Sequence, residues 1–267
     1  YWSLINNNSG NFTSSAIELY ESDLDLTKTI GMASAISGNY SAIGGTLNAS
    51  SISSTSISNP GPYFCIGSIY YKTFYSYRTG SWQSPTTWTT DPSGTLQIGN
   101  EVPGADDNVV ILPDRSVTLT ADVAAGGMII TVRPGGYLDM AGNQLTRTIA
   151  SLSGQGTIRL ATANFPSGTS NSFVNSGGGT TEYYNPVNFT LPVAQVAYNN
   201  LVINIAGATG TQMNDITVNG SFYIKSGTYR INDNTSTTRR TLTVAGNVTV
   251  DAGAAVSVGN GVTNTAI

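Results

Sequence analysis

The sequence predicts an all-β protein: a partial β-sandwich over residues 1–72, followed by a right-handed parallel β-helix, or solenoid, over residues 73–267. Three observations carry this reading. Charged residues make up only 10% of the chain, and Ser, Thr, Asn and 30 Gly stand in their place; that mixture suits short strands joined by tight turns. No window sustains an apolar i, i+3, i+4, i+7 pattern, so helices are not expected. The C-terminal two thirds also aligns with itself, as a stacked coil must. Disorder is excluded because the 39% of residues that are hydrophobic alternate in an orderly way.

The first region alternates strand-like runs with Ser/Asn/Gly turns. Residues 12–20, 31–36 and 50–58 read as strands, and the region closes on Pro60-Gly61-Pro62-Tyr63-Phe64-Cys65-Ile66-Gly67. Short strands with frequent turns point to half of an antiparallel sandwich. Cys65, the single cysteine, reads as a buried small hydrophobe within an apolar run.

The repeat sits in the second region. Residues 216–227 and 242–253 match at every apolar position and at both glycines, an offset of 26. Phe222, Ile224, Val248 and Val250 are the inward positions, because alternate residues of a strand face opposite sides. Gly227 and Gly253 follow three residues later, where a sharp corner needs positive φ. A further copy is read at Ile130, Val132 and Gly135, and a fainter one over residues 154–160. At this period residues 73–267 would supply about seven turns, stacked over about 35 Å. A conventional sandwich built from the same hairpins is the alternative.

The open end of a solenoid needs a cap. Trp82 and Trp88 stand where one belongs, ahead of the strand from Val109 to Leu112. Asp106, Asp107 and Asn108 can bond that strand's free amides. The same three residues are the candidate calcium site, since hard cations want several carboxylate and carbonyl oxygens; turn and cap hydrogen bonding is the competing reading. Asn232, Asp233 and Asn234 form a weaker polar cluster that reads as a loop. Trp82, Trp88, Tyr183 and Tyr184 could stack on sugar rings or pack in core and cap. Gly177, Gly178 and Gly179 form a turn, not a phosphate loop, as no Lys-Ser/Thr follows.

Composition also excludes functions. The chain has no histidine, which removes Ser–His and Cys–His catalysis. Net charge is −4 with the three Lys and eight Arg scattered, so nucleic acid is not an expected partner. No apolar run reaches the length of a membrane span. A cleaving enzyme of the β-helix class would set Asp with Arg or Lys on one face over three consecutive turns; Asp139, Arg159 and Arg230 lie near repeats, and solvated surface charge explains them equally well. No catalytic residue and no cofactor other than calcium is expected.

Gly80-Ser81-Trp82, Trp88 and Pro103-Gly104-Ala105-Asp106-Asp107-Asn108-Val109 resemble the "G-x-W … W … P-x-x-x-D-x-V" opening that precedes β-helical repeats in large secreted proteins of Bacteroidota. Glu182-Tyr183, Tyr198-Asn199-Asn200-Leu201-Val202-Ile203 and Ile216-Thr217-Val218-Asn219-Gly220 resemble the repeats of the same proteins, and residues 1–67 the β-sandwich that often precedes the module. The resemblance implies type IX secretion and display at, or release from, the cell surface. It implies adhesive partners: a surface glycan, a substratum or another extracellular protein, with the secretion machinery during export. Many such proteins serve as adhesins, giant gliding adhesins among them. A carbohydrate-binding or spacer module of a secreted polysaccharide-degrading enzyme is the other expectation. The chain opens on a strand in progress and closes, over residues 259–267, on what reads as a turn between rungs, as a segment of a longer exported chain would.

Overall fold

In a computed structural model of the chain, residues 2–3, 16–22, 24, 28–37, 40–57, 62–68, 71–232 and 239–258 are described. They fall into two compact units, Tyr1–Tyr70 and Tyr71–Ile267.

The first unit is antiparallel throughout. One sheet runs Trp2–Ser3, Tyr63–Ser68, Lys28–Ala33, Ser41–Ala42; a second runs Glu18–Tyr20, Ser51–Ser53, Thr46–Leu47. Of the strand expected over residues 12–20, Glu18–Tyr20 forms one and residues 16–17 do not; residues 12–15 lie outside the described residues. The core is small: Leu19, Ile30, Ile52 and Phe64. Cys65 is only partly buried. It alternates with Phe64 and faces away from that core, against Gly31, its partner across the sheet.

The second unit is a parallel β-solenoid of about six turns. Register fixes its coil length. Asn108 stands beside Ile129, Ile129 beside Ser151 and Ile149 beside Gly168, so successive coils take 21, 22 and 19 residues. The expected period of 26 belongs only to the last coil, where Phe222 stands beside Val248. That coil carries a longer return, which includes Asp233 and Asn234, outside the described residues.

Each coil lays a strand on one face, turns a corner, and lays another on a long sheet. The first face holds Thr73–Ser76, Asn108–Ile111, Ile129–Val132, Ile149–Gly154 and Gly168–Asn171. In later coils Ala197–Tyr198, Ile216–Val218 and Leu242–Val244 take the same place before the long sheet. Along the long sheet Val117, Leu138, Ile158, Thr181, Leu201, Phe222 and Val248 stand one upon the next. Leu160, Tyr183, Ile203, Ile224 and Val250 form the neighbouring column. Up to Phe222 and Ile224 every member of both columns is at most 1% exposed, and burial of each apolar member contributes about 1.5–3 kcal/mol.

This register corrects one alignment. Residues 156–160 are true equivalents of 220–224, with Ile158 and Leu160 in the columns of Phe222 and Ile224. Ile130 and Val132 belong to the first face instead, stacked between Val109–Ile111 and Leu152–Gly154. Both faces offer an alternating strand followed by a glycine, so sequence alone equates them. The corner glycines behave as expected: φ is +78° at Gly135 and Gly227 and +85° at Gly253. At Gly227 a Cβ would also lie 2.3 Å from the Ile205 carbonyl oxygen.

Candidate functional site

The two tryptophans expected to cap the solenoid lie in its first coil. Trp82 and Trp88 are 2% and 1% exposed. Their rings meet edge to face, centroids 5.0 Å apart, and the Trp88 indole N–H donates to the Trp82 carbonyl at 2.7 Å. The Trp82 amide in turn bonds the Thr118 carbonyl, which ties the cap to the second coil. Neither ring has a face left for a sugar.

Asp106, Asp107 and Asn108 do not converge. The Asp107 carboxylate accepts the amides of Lys72 at 2.9 Å and Gly104 at 2.7 Å. The Asn108 amide nitrogen of the backbone bonds the Lys72 carbonyl, while its side chain reaches Thr73. Asp106 faces the other way and packs on Gly127. The turn-and-cap reading therefore has hydrogen bonds behind it. Among the described residues, no three His, Cys, Asp or Glu side chains are grouped as cation ligands.

The densest polar constellation is one the sequence left unassembled. Asp139, Arg159 and Glu182 occupy consecutive coils of the long sheet and stand in register on its outer side. Parallel in-register strands lie about 4.8 Å apart, which brings residues 20 and 23 positions apart in the chain into contact. Arg159 donates from Nε to Glu182 at 2.9 Å and from Nη1 to Asp139 at 3.2 Å. Tyr184 donates to Asp139 at 2.9 Å, and its ring lies 4.3 Å beneath the Arg159 guanidinium. Asn204 donates to the other Glu182 oxygen at 3.0 Å, with the Lys225 ammonium 3.9 Å from it. Arg230 takes no part; it lies against Asn188, Thr190 and Thr211 on another face.

This is the three-turn clustering of Asp and Arg that would favour a β-helix polysaccharide enzyme, so the state of its groups matters. Burial pulls the Arg159 guanidinium down, but the hydrogen bond and charge of Glu182, with the charge of Asp139, outweigh it and hold Arg159 above its ordinary value. Burial and the hydrogen bond to Asp139 push the Tyr184 phenol up to about 12. A general base works best with a pKa near the operating pH, and neither group has one. The carboxylates are 8% exposed as residues, and all four of their oxygens face donors already in place. The arrangement stitches coils together through these bonds.

Tyr183 is likewise structural. It is 1% exposed, shares a hydrogen bond of 3.0 Å with Tyr198, and stacks on Phe189 at 5.0 Å. Burial pushes the phenols of Tyr183, Tyr198 and Tyr229 well above their ordinary range. Gly177–Gly179 turn tightly over the carbonyls of residues 172 and 173, as a turn should. No helix among the described residues is long and apolar enough to cross a membrane.

No family model, curated protein or solved structure matches the chain.

Proposed function

We propose that this chain is a non-enzymatic, extracellular structural and adhesive segment, displayed at a cell surface as a stiff solenoid spacer that also presents a binding face. The observation that carries the reading is the Asp139–Arg159–Glu182 network. Its charged groups sit where catalysis on this architecture would be built, and they are engaged with one another across coils. A ladder of that kind resists shear between coils. The low charge and the absence of histidine support a non-enzymatic role, and the motif resemblance to exported Bacteroidota surface proteins supports export, with type IX secretion as the route. The partner is a surface glycan, a substratum or another extracellular protein.

The test is turnover. The purified chain, incubated with a panel of acidic and neutral polysaccharides, should release no reducing ends and no unsaturated products, while being retained on at least one of those polymers. Sustained depolymerisation that is lost in Arg159→Gln would overturn the reading.

A further inference from the structure

Three stacked corners of the solenoid each carry an arginine. The first corner, residues 77–79, joins Thr73–Ser76 to Gly80–Ser81 and holds Arg78. The second, residues 112–115, holds Arg115. The third, residues 133–136, holds Arg133. The corners are bonded directly to one another: the Arg115 Nε–H donates to the Tyr77 carbonyl at 3.0 Å, the Ser116 amide to the Thr79 hydroxyl at 3.0 Å, and the Asp114 amide to the Gly135 carbonyl at 3.0 Å. Arg78 and Arg115 thus stand in register one above the other, and Arg133 follows on the same edge one coil on, at the start of its corner beside Leu112.

Their hydrogen bonds leave charge unanswered. Arg78 donates to the Thr86 carbonyl and to the Gln97 side-chain oxygen, both neutral. Arg115 bonds only the backbone carbonyls of Tyr77 and Asp114. Among the described residues none of the three arginines has an ion-pair partner, in contrast to Arg159. Two carboxylates lie along this stretch of chain: Asp91, turned onto the amides of Ser93, Thr95 and Leu96, and the exposed Asp114. Neither is ion-paired to an arginine of the corner, which keeps an excess of positive groups, three to two.

A depression opens between the first two corners, lined by Tyr77, Arg78, Thr79, Thr95 and Arg115. A second follows the same edge at the third corner and beyond it, where Arg133 stands with Gln155, Ser172, Asn175 and Ser176. The lining combines unpaired guanidinium groups, hydroxyls and amides, with an aromatic ring at one end. Guanidinium forks match planar carboxylates and sulfates; hydroxyls and amides suit a polyhydroxylated chain.

We infer that this corner is a binding site for an anionic glycan, a strand bearing carboxylate or sulfate groups, lying along the solenoid axis across Arg78, Arg115 and Arg133. Nucleic acid fits less well. Its binding scales with the number of phosphates neutralised and, for single strands, with rings on which bases stack; this corner offers three cations and one ring, Tyr77, in a chain of net charge −4. The site rests on the adhesive reading only for where such a glycan would be met; the binding itself is independent of it.

The full chain is tested by affinity electrophoresis in gels containing polygalacturonate, dextran sulfate or neutral dextran, with a fluorescent single-stranded DNA as a fourth arm. Retardation by one or both anionic glycans, weakening with added salt, and none by neutral dextran is expected; which of the two retards identifies carboxylate or sulfate as the group recognised. Arg78→Gln with Arg115→Gln should raise the dissociation constant at least about tenfold. Arg133→Gln should raise it about three- to tenfold without touching any hydrogen bond of the fold, which guards against a variant that fails to fold. Arg147→Gln, outside the corner, should change nothing. The site is overturned by no retardation on either anionic glycan, by variants that bind as the parent does, or by DNA bound more tightly than both glycans. Retention on neutral glycan that survives every arginine substitution sinks the site and leaves the adhesive reading standing. Cleavage of polygalacturonate with binding still dependent on the arginines sinks the adhesive reading and leaves the site.

Discussion

The inward columns of the solenoid meet different surroundings in its first and last described coils. In the first coil, Trp82 and Trp88 belong to the same buried core as the columns and are 2% and 1% exposed. In the last, Val248 and Val250 hold the same inward register as Phe222 and Ile224, yet they are 54% and 43% exposed. The residue types and alternation are alike; what differs is whether a neighbour lies on both sides. A single rung of a parallel coil cannot bury its own inner face, so "inward" and "buried" are separate properties here. The position comes from register, and the burial from the adjacent coil.

The comparison can be broken experimentally, and the cap gives the largest effect. Trp88→Ala removes a fully buried indole and its bond to the Trp82 carbonyl, and should cost the solenoid about 3–5 kcal/mol in urea unfolding. A loss below about 1 kcal/mol would show that the first coil does not need its cover.

Next comes a pair within one column. Phe222→Ala should cost about 3–5 kcal/mol, whereas Val248→Ala, one rung on, should stay within about 1 kcal/mol because its side chain is largely in water already. Equal costs would mean that Val248 is covered in solution.

The outer ladder provides a third test. Arg159→Met strands two carboxylates that are each only 11% exposed at the side chain, and should cost about 2–3 kcal/mol. Adding Asp139→Asn and Glu182→Gln should recover much of that loss, since removing a whole buried charge cluster is often close to neutral. Thermal melts of the single and triple variants measure both.

Stability against pH separates the buried phenols from the rest of the molecule. With no histidine in the chain, stability should be nearly flat across neutral pH. Tyr184 is pushed up to about 12 from an unfolded value near 10. A raised pKa favours the protonated form in the folded state, so this contribution is complete below pH 10 and declines as pH rises towards 12. Tyr183, Tyr198 and Tyr229 shift in the same direction and steepen the fall. Circular dichroism melts between pH 6 and 12 test this, and a stability that climbs above pH 10 would contradict the burial of these rings. The smallest effect is expected at Val250→Thr, within about 0.5 kcal/mol.

Much of this architecture was legible in the chain. Alternating apolar residues in short runs, the glycines at 135, 227 and 253, and the paired tryptophans ahead of Val109 all act locally. Each constrains only its own strand, corner or cap, so composition and spacing suffice to read them. The coil length was not legible. An inward column accepts Val117, Leu138, Ile158, Thr181 and Leu201 alike, so most neighbouring coils share no identity to align. The one pair that aligns well, residues 216–227 with 242–253, carries a longer return than the coils before it, apart from the first, where Thr73 stands beside Asn108. The ladder was invisible for the same reason. Asp139, Arg159 and Glu182, like Arg78, Arg115 and Arg133 at the corner, sit at unequal intervals that no fixed period connects. The sequence by itself determined that strands would form, which side of each would face inward and where corners could turn, because those follow from side-chain alternation and backbone freedom. Only the tertiary stacking decided which residues of different coils touch, because that depends on register between strands some twenty residues apart, and with it whether a charge is paired, as at Arg159, or left facing solvent, as at Arg133.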